Sequence, residues 1–417
     1  MALSNVILNN LAGLQNSNFE VCDVKVFKDH ETWVIKRKPH AKPICNNCDL
    51  PYEFKPHSVS TIELIDQPAG RFKRIWRVER AKLSCPCTLS ILVEKMDFKA
   101  DQHLMTQRFV NHIEELLCTK MFTVADISRM FNIDYGIVYK IDHQVLRRLI
   151  QHHKLVFPTH ISVDEKSARK GHNYITIVSD LDTGEAIWAT EGNSKASLDL
   201  FFQIIGPEGC AKIQTVSKDL WKPFTESCNE YVPHATQNAD KFHVIKKLID
   251  SVDAVRKEVQ NDKSIDKEQR LNAKSSMWLV RHNEENMKDY QREKLEELQK
   301  INEPLYKAYL MKEAFFEVYN FATNEINKAE EFINEWITDV TLLGLGPMTE
   351  FCSFLKRNIE MILNSIATKK TSALSEGINR KINVLKSMAY GYKCMDYFKL
   401  KILQRCGTLG RSWTPAQ

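Results

Sequence analysis

Residues 161–165 read Ile-Ser-Val-Asp-Glu, and residues 215–219 read Thr-Val-Ser-Lys-Asp. Each run alternates β-branched or apolar residues with small polar ones and stops at a carboxylate, as a strand does when its end faces a cleft. Two more strand candidates, 174–179 and 186–190, lie between them, joined by the turn Asp182-Thr183-Gly184-Glu185. Consecutive strands usually neighbour each other in space. The pattern therefore predicts an antiparallel meander, followed by a strand that returns beside the first. That topology would bring Asp164 and Asp219 together at one sheet edge.

A third carboxylate has the right setting much further along. Leu374, Ile378, Ile382 and Leu385 recur at helical spacing, and Glu376, Asn379 and Asn383 share the other face. Three carboxylates converging on one cleft repel one another unless cations intervene. Hard divalent cations with oxygen ligands meet that need, and Mg2+ (or Mn2+) is the usual choice near phosphates. Two such ions about 3.5–4 Å apart activate an attacking oxygen and stabilise a leaving one, which points to phosphodiester cleavage and transfer. Asp240 competes with Asp219 for the second place. Asp219 is preferred because it directly follows the returning strand, whereas Asp240-Lys241-Phe242-His243 opens a helix that Asp240 would cap. His243 reads either as an accessory catalytic group or as a hydrogen-bonded structural histidine. Asp396 ranks below Glu376, and Glu165 reads as a neighbour of Asp164, not a ligand.

Upstream, residues 15–100 alternate as short strands and turns. Cys45-Asn46-Asn47-Cys48 and Cys85-Pro86-Cys87 form two close pairs that could place four thiolates tetrahedrally around a structural Zn2+, with His57 as a substitute ligand. Four unconnected reduced cysteines is the plain alternative. Between the pairs, residues 71–82 carry Arg71, Lys73, Arg74, Arg77, Arg80 and Lys82 against the single acid Glu79, with Phe72 and Trp76 interleaved. Such a strand suits contact with DNA phosphates, or is an exposed edge guarded by charge. Residues 122–141 fit a helix-turn-helix. Thr123 and Asp126 cap the first helix, Val124, Ile127 and Phe131 face inward, and Ile133 is buried in the turn. The second helix buries Val138 and Ile141 and exposes Tyr135, Tyr139 and Lys140, the face that could enter a major groove.

A length of 417 residues implies several folded units, and 43% hydrophobic with 27% charged residues excludes long disorder. With 14 Gly and 13 Pro the chain is poor in breakers, so the region from Lys241 to about Leu403 reads as helical almost throughout. The net charge of +5 is concentrated in the first third, where the DNA-contacting candidates lie. Eleven cysteines are too few for a disulfide scaffold and read as reduced thiols of a cytoplasmic protein. No apolar run is long enough to cross a bilayer, and residues 2–14 read as a short amphipathic helix, not a secretory signal.

Three segments are similar to a known family: Val163-Asp164-Glu165-Lys166-Ser167-Ala168-Arg169-Lys170-Gly171-His172; Asp240-Lys241-Phe242-His243-Val244-Ile245-Lys246; and Glu376-Gly377-Ile378-Asn379-Arg380-Lys381-Ile382 leading to Ala389-Tyr390-Gly391-Tyr392. Over roughly residues 40–405 the chain resembles the DDE transposases of bacterial insertion sequences, specifically the ISL3 group. The resemblance implies an α+β multidomain protein. Its parts would be a zinc-ribbon-like β module (1–103), a helix-turn-helix region (104–156), an RNase H-like α/β catalytic core (157–243 and 371–417) and an all-α insertion (244–370). It implies Asp164, Asp219 and Glu376 as the acidic triad, Asp240 and His243 as accessory candidates, and Arg169, Lys170 and His172 as phosphate contacts. It further implies binding to double-stranded DNA at terminal inverted repeats, strand cleavage and transfer with two Mg2+, and a homodimer or higher oligomer on DNA. The setting would be the bacterial cytoplasm at the nucleoid. Two readings compete: a zinc-containing helix-turn-helix regulator without catalysis, and a sequence-nonspecific nuclease.

Overall fold

The computed structural model describes residues 5–70, 72–154, 157–169, 173–370, 373–389 and 391–410; the side chains at 69, 169, 173 and 373–376 are not among those described. The chain divides into two compact units, Met1–His153 with Leu409–Gln417, and Lys154–Thr408.

The first unit begins with α1 (Asn5–Ala12) and continues through β1 (Phe19–Val26), β2 (His30–Arg37), β3 (Ser58–Ala69), β4 (Phe72–Leu83) and β5 (Leu92–Val93). The strands pair in the order β1-β2-β4-β3, with β5 on β4. β2 and β4 run parallel, and the other pairs are antiparallel. Alternation sends Trp33, Ile35, Trp76 and Val78 into a core shared with Leu14, Phe19, Val21 and Leu64. Three helices follow, α2 (Gln107–Cys118), α3 (Val124–Phe131) and α4 (Tyr135–Gln151). Phe109, Ile113, Leu117, Ile127, Ile133, Val138, Ile141 and Val145 close around one another.

The second unit opens with β6 (His160–Arg169), β7 (Asn173–Asp180), β8 (Glu185–Glu191), α5 (Lys195–Lys212), β9 (Thr215–Lys218), α6 (Lys222–Tyr231), β10 (Thr236–Ala239) and α7 (Lys241–Asn261). The sheet order is β10-β9-β6-β7-β8. β6, β7 and β8 form the antiparallel meander. β9 returns parallel to β6, and β10 adds parallel to β9. The returning strand starts only at Thr215, because residues 195–212 are helical up to Lys212, across a break at Gly206 (φ +66) and Pro207. α5 and α6 cover one face of this sheet with Leu198, Phe201, Phe202, Ile205 and Phe224.

Helices α8 (Lys267–Ser275), α9 (Asp289–Ile301), α10 (Glu303–Phe316), α11 (Ile326–Leu342) and α12 (Gly346–Thr368) then pack with α7 around Val252, Tyr309, Phe315, Trp336, Phe351 and Leu355. α12 also docks on the edge strand β10. The Asn238 amide donates to Thr368 Oγ1 at 2.7 Å, and the Asn364 amide donates to the Gln237 carbonyl at 3.2 Å. A helix laid over an otherwise open strand edge removes a site for aggregation. The chain closes with α13 (Ala373–Met388) and α14 (Met395–Cys406). The architecture is thus mixed α/β, with two sheets and fourteen α-helices among the described residues.

Candidate active site

The register of the second sheet aligns three acids. Val163 pairs with Lys218, and Lys218 pairs with Ala239. The next residue along each chain is an aspartate: Asp164, Asp219 and Asp240. All three therefore stand level where the parallel pairing ends, Asp219 and Asp240 just past β9 and β10 and Asp164 within β6, which runs on to Arg169 against β7 and does not stop at the acid as its sequence suggested; neighbouring strands lie about 4.8 Å apart. Open α/β sheets bind ligands at this end of their strands. The sequence pattern set Asp219 and Asp240 against each other, but the fold brings both to Asp164.

His243 lies in the first turn of α7 and sits among the three. Its Nδ1 is 3.4 Å from Asp219 Oδ2, and its Nε2 is 3.8 Å from Asp240 Oδ2 and 3.9 Å from Asp164 Oδ1. Asp240 is also the N-cap of α7, its Oδ1 accepting the Phe242 amide at 2.8 Å. Asp164 and Asp240 are largely buried, while Asp219 is 30% exposed and is the most open of the three. Asp164 is held on both oxygens. Oδ1 accepts the Glu165 amide at 2.7 Å, and Oδ2 receives Lys166 Nζ at 3.3 Å together with the side-chain amide of Asn379 from α13. Glu165 points elsewhere and takes the Asn193 amide at 2.7 Å. Asn379 and Lys166 are site residues that pattern reading did not assign. Asn379 shared the Glu376 face, and that was its only signal.

Glu376 lies in α13, and its side chain falls outside the described residues. Arg169 ends β6, likewise with an undescribed side chain, and Arg71, Lys170 and His172 lie outside the described residues. Behind the acids, Lys218 is fully buried, with Nζ donating to Thr225 Oγ1 at 2.6 Å, and burial lowers its pKa.

In the first unit the four cysteines converge. One ligand atom from each of Cys45, Cys48, Cys85 and Cys87 falls within 4.8 Å of all the others, and His57 is not in the group. The Sγ···Sγ distances of 3.6 Å (Cys45–Cys87) and 3.8 Å (Cys48–Cys85) match the edge, about 3.8 Å, of a thiolate tetrahedron around zinc. Asp49 adopts φ +59 and closes the first turn, so that the Asn47 amide reaches Cys45 Sγ at 3.5 Å. Backbone N–H groups of Asn47 and Cys48 bring the Cys45 thiol down to about 6. The donor set, soft sulfur atoms with N–H groups aimed at them, fits Zn2+.

The helix pair has the capping box read from Thr123 and Asp126, a left-handed Asn132 in the turn, and a buried Ile133. Tyr135 and Lys140 are exposed and Tyr139 is half-buried against His143. The basic strand divides. Lys73 is half-buried. Arg77 is exposed and paired with Glu63 at 2.9 Å. Arg74 is buried. It donates to Glu31 at 3.2 Å, lies 3.6 Å from Asp66, and stacks 4.3 Å over Trp33. Arg74 is therefore engaged inside the module.

One unit carries a row of three aspartates on a mixed sheet and the other a thiol cluster and a helix pair, a combination suited to processing nucleic acid. Residues 161–402 match the model of the ISL3-type DDE transposases, a family described as transposase, and the chain belongs to that family. The transposase for insertion sequence element IS1001 of Bordetella parapertussis is 26% identical over 373 residues, spanning 89% of this chain and 91% of that protein. The transposase for insertion sequence element IS1557 of Mycobacterium tuberculosis is 28% identical over 254 residues, 56% of each chain, in two strains. The chain is thus a transposase and binds DNA, and a regulator without catalysis is not favoured. Among the described residues, no helix is long and apolar enough to cross a membrane.

Proposed function

We propose that the second unit is an RNase H-like core that cuts and joins DNA at the terminal inverted repeats of an insertion sequence, using Asp164, Asp219 and Glu376 to hold Mg2+, with Mn2+ as a substitute. The sheet supports this reading, with three antiparallel strands followed by two parallel ones and acids at the parallel ends. Hard carboxylate oxygens suit Mg2+.

The register of α13 supports Glu376 as the third acid. Asn379 donates to Asp164, and Lys386 Nζ donates to the Ser167 carbonyl. Seven helical residues rise about 10.5 Å and three strand residues about 10 Å, so α13 runs alongside β6 with both tethers satisfied. The Glu376 backbone, one turn before Asn379, is then about 4.5 Å along the helix axis from the Asn379 level, beside the end of Val163-Asp164. This register is the observation that carries the reading.

Bound between such carboxylates, paired Mg2+ ions would activate the attacking oxygen and stabilise the leaving one. The chain's own contributions are charge and place. Asp164 is oriented by donors on both oxygens. Asp219 presents the most open carboxylate. Asp240 fixes the first turn of α7, and His243 spans the three aspartates. We place Asp240 and His243 as accessory groups, because one oxygen of Asp240 is committed to capping. The exposed Tyr135 and Lys140, with the half-buried Tyr139, are the DNA-contacting face of α4, and Arg77 and Lys73 add phosphate contacts. Zinc on Cys45, Cys48, Cys85 and Cys87 would hold the N-terminal module. Pairing two element ends calls for at least two protomers.

The test uses a duplex carrying the inverted repeats that bracket the gene. Asp164→Asn should bind it as the parent does and leave no strand cut in Mg2+. Cleavage persisting in that variant would remove the assignment.

A further inference from the structure

We propose that Asn379 is a positioning residue: its amide, carried on the helix that bears Glu376, sets the orientation of the Asp164 carboxylate for cation binding. The inference rests on the three-acid reading. Asp164 has a short side chain whose terminal torsion is broad and two-fold, so its plane is set by whatever its oxygens meet. Glu165 and Lys166 approach from β6 itself, and His243 from α7. Asn379 alone among these donors brings in α13, from 215 residues away in the chain.

The residue type matters. A carboxamide N–H directs a carboxylate oxygen without neutralising it and uses one of its lone pairs; the other is met here by Lys166 Nζ at 3.3 Å, which a bound cation would displace. A lysine in the same place would compete with the cation for the charge. An aspartate would offer no donor and would repel Asp164. A leucine of similar size would leave Lys166 as the remaining side-chain partner of Oδ2, with nothing from α13 to fix the carboxylate plane. Groups that orient a metal-binding side chain are commonly worth about 10–100-fold in metal affinity. The bond also couples two events. α13 docks by placing Asn379 on Asp164, so the third acid's helix is seated by the first acid it must work with.

The experiment is a Mn2+ titration of the full chain, preloaded with zinc so that the thiol cluster is filled, with free Mn2+ read by electron paramagnetic resonance. Asn379→Leu should bind Mn2+ about 10-fold more weakly, with the thermal melt of helical circular dichroism unchanged. Asn379→Gln keeps the donor and should recover most of the affinity. Parent-like affinity in Asn379→Leu would overturn the proposal while leaving the triad intact. So would a Gln variant as weak as the Leu variant, since that would mark a steric role. Asp164→Asn is the reference. If it binds Mn2+ as tightly as the parent, the three-acid reading fails and this proposal falls with it.

Discussion

Asp253 lies on α7, less than three turns beyond His243, and clamps the helix that seats the site. Its side chain is 3% exposed and meets Arg256 at 2.7 Å, Lys257 at 3.0 Å and Arg281 at 3.0 Å. Burial alone would raise its pKa, but the hydrogen bonds from Arg256, Lys257 and Arg281 win and bring it from 3.8 down to about 2. A carboxylate whose folded pKa lies below its unfolded value stabilises the fold above the unfolded value. That contribution is lost as pH falls through the folded value. The lowered value corresponds to about 2 kcal/mol, fully present at pH 7 and lost between about pH 4 and pH 2. Asp253→Asn should cost at least that much, and up to about 3–5 kcal/mol if Arg256 is left buried without its partner. Urea unfolding followed by tryptophan fluorescence, with hydrogen exchange at α7 amides to assign the transition, measures it. Many carboxylates titrate in this range, so the informative quantity is the difference between parent and variant. It should be about 2 kcal/mol or more at pH 7 and should shrink toward pH 2. Equal urea midpoints at pH 7, or a difference that stays constant from pH 4 to pH 2, would refute the clamp.

Two more outcomes test the N-terminal unit. Modifying the thiols of the purified chain should release a single zinc equivalent to a chromogenic chelator, and Cys85→Ser should release little; a chain that carries no zinc after expression with zinc present would rule out the tetrahedral site. Lys140→Ala should weaken duplex binding and lower the salt dependence by about one counterion, whereas Arg74→Ala should destabilise the module by about 1–3 kcal/mol through the lost bond to Glu31 and the lost stacking on Trp33, Asp66 keeping Arg108 and Thr106. If Arg74→Ala instead weakens DNA binding without lowering the melt, Arg74 belongs to the DNA-binding surface after all.

What could be read from the chain was local. The capping box at Thr123 and Asp126 needs only residues three apart. The meander and the β9 return follow from alternating apolar runs that end in acids. β10 was out of reach: Thr-Gln-Asn-Ala has no apolar alternation, and it is a strand because β9 pairs with one side and α12 covers the other. Missing that strand is why Asp219 and Asp240 looked like rivals. Arg74 looked like a phosphate contact because Glu31 and Asp66, which bury it, come from other strands. Asn379 gave little sign for the same reason, since its partner belongs to the first strand of the unit.

The long separation between the second and third acids also has a physical account. On the proposed triad, a chain that leaves the sheet after Asp240 has to bring Glu376 back toward Asp164, and a flexible loop of that length would leave the return unspecified. The helices α7 to α12 instead form a packed core of their own, beginning directly at Asp240, which caps α7. The core ends where it began. The last residue of α12, Thr368, accepts the Asn238 amide two positions before Asp240. From that bond only eight residues lead to Glu376. The insertion therefore closes on the row of acids at both of its ends, and α13 begins with its entry point already fixed on β10. The Asn379 and Lys386 tethers to β6 then need to settle only the helix's direction. On this account, loosening α12 from β10, as Asn238→Ala would do, disturbs the third acid before it disturbs the first two.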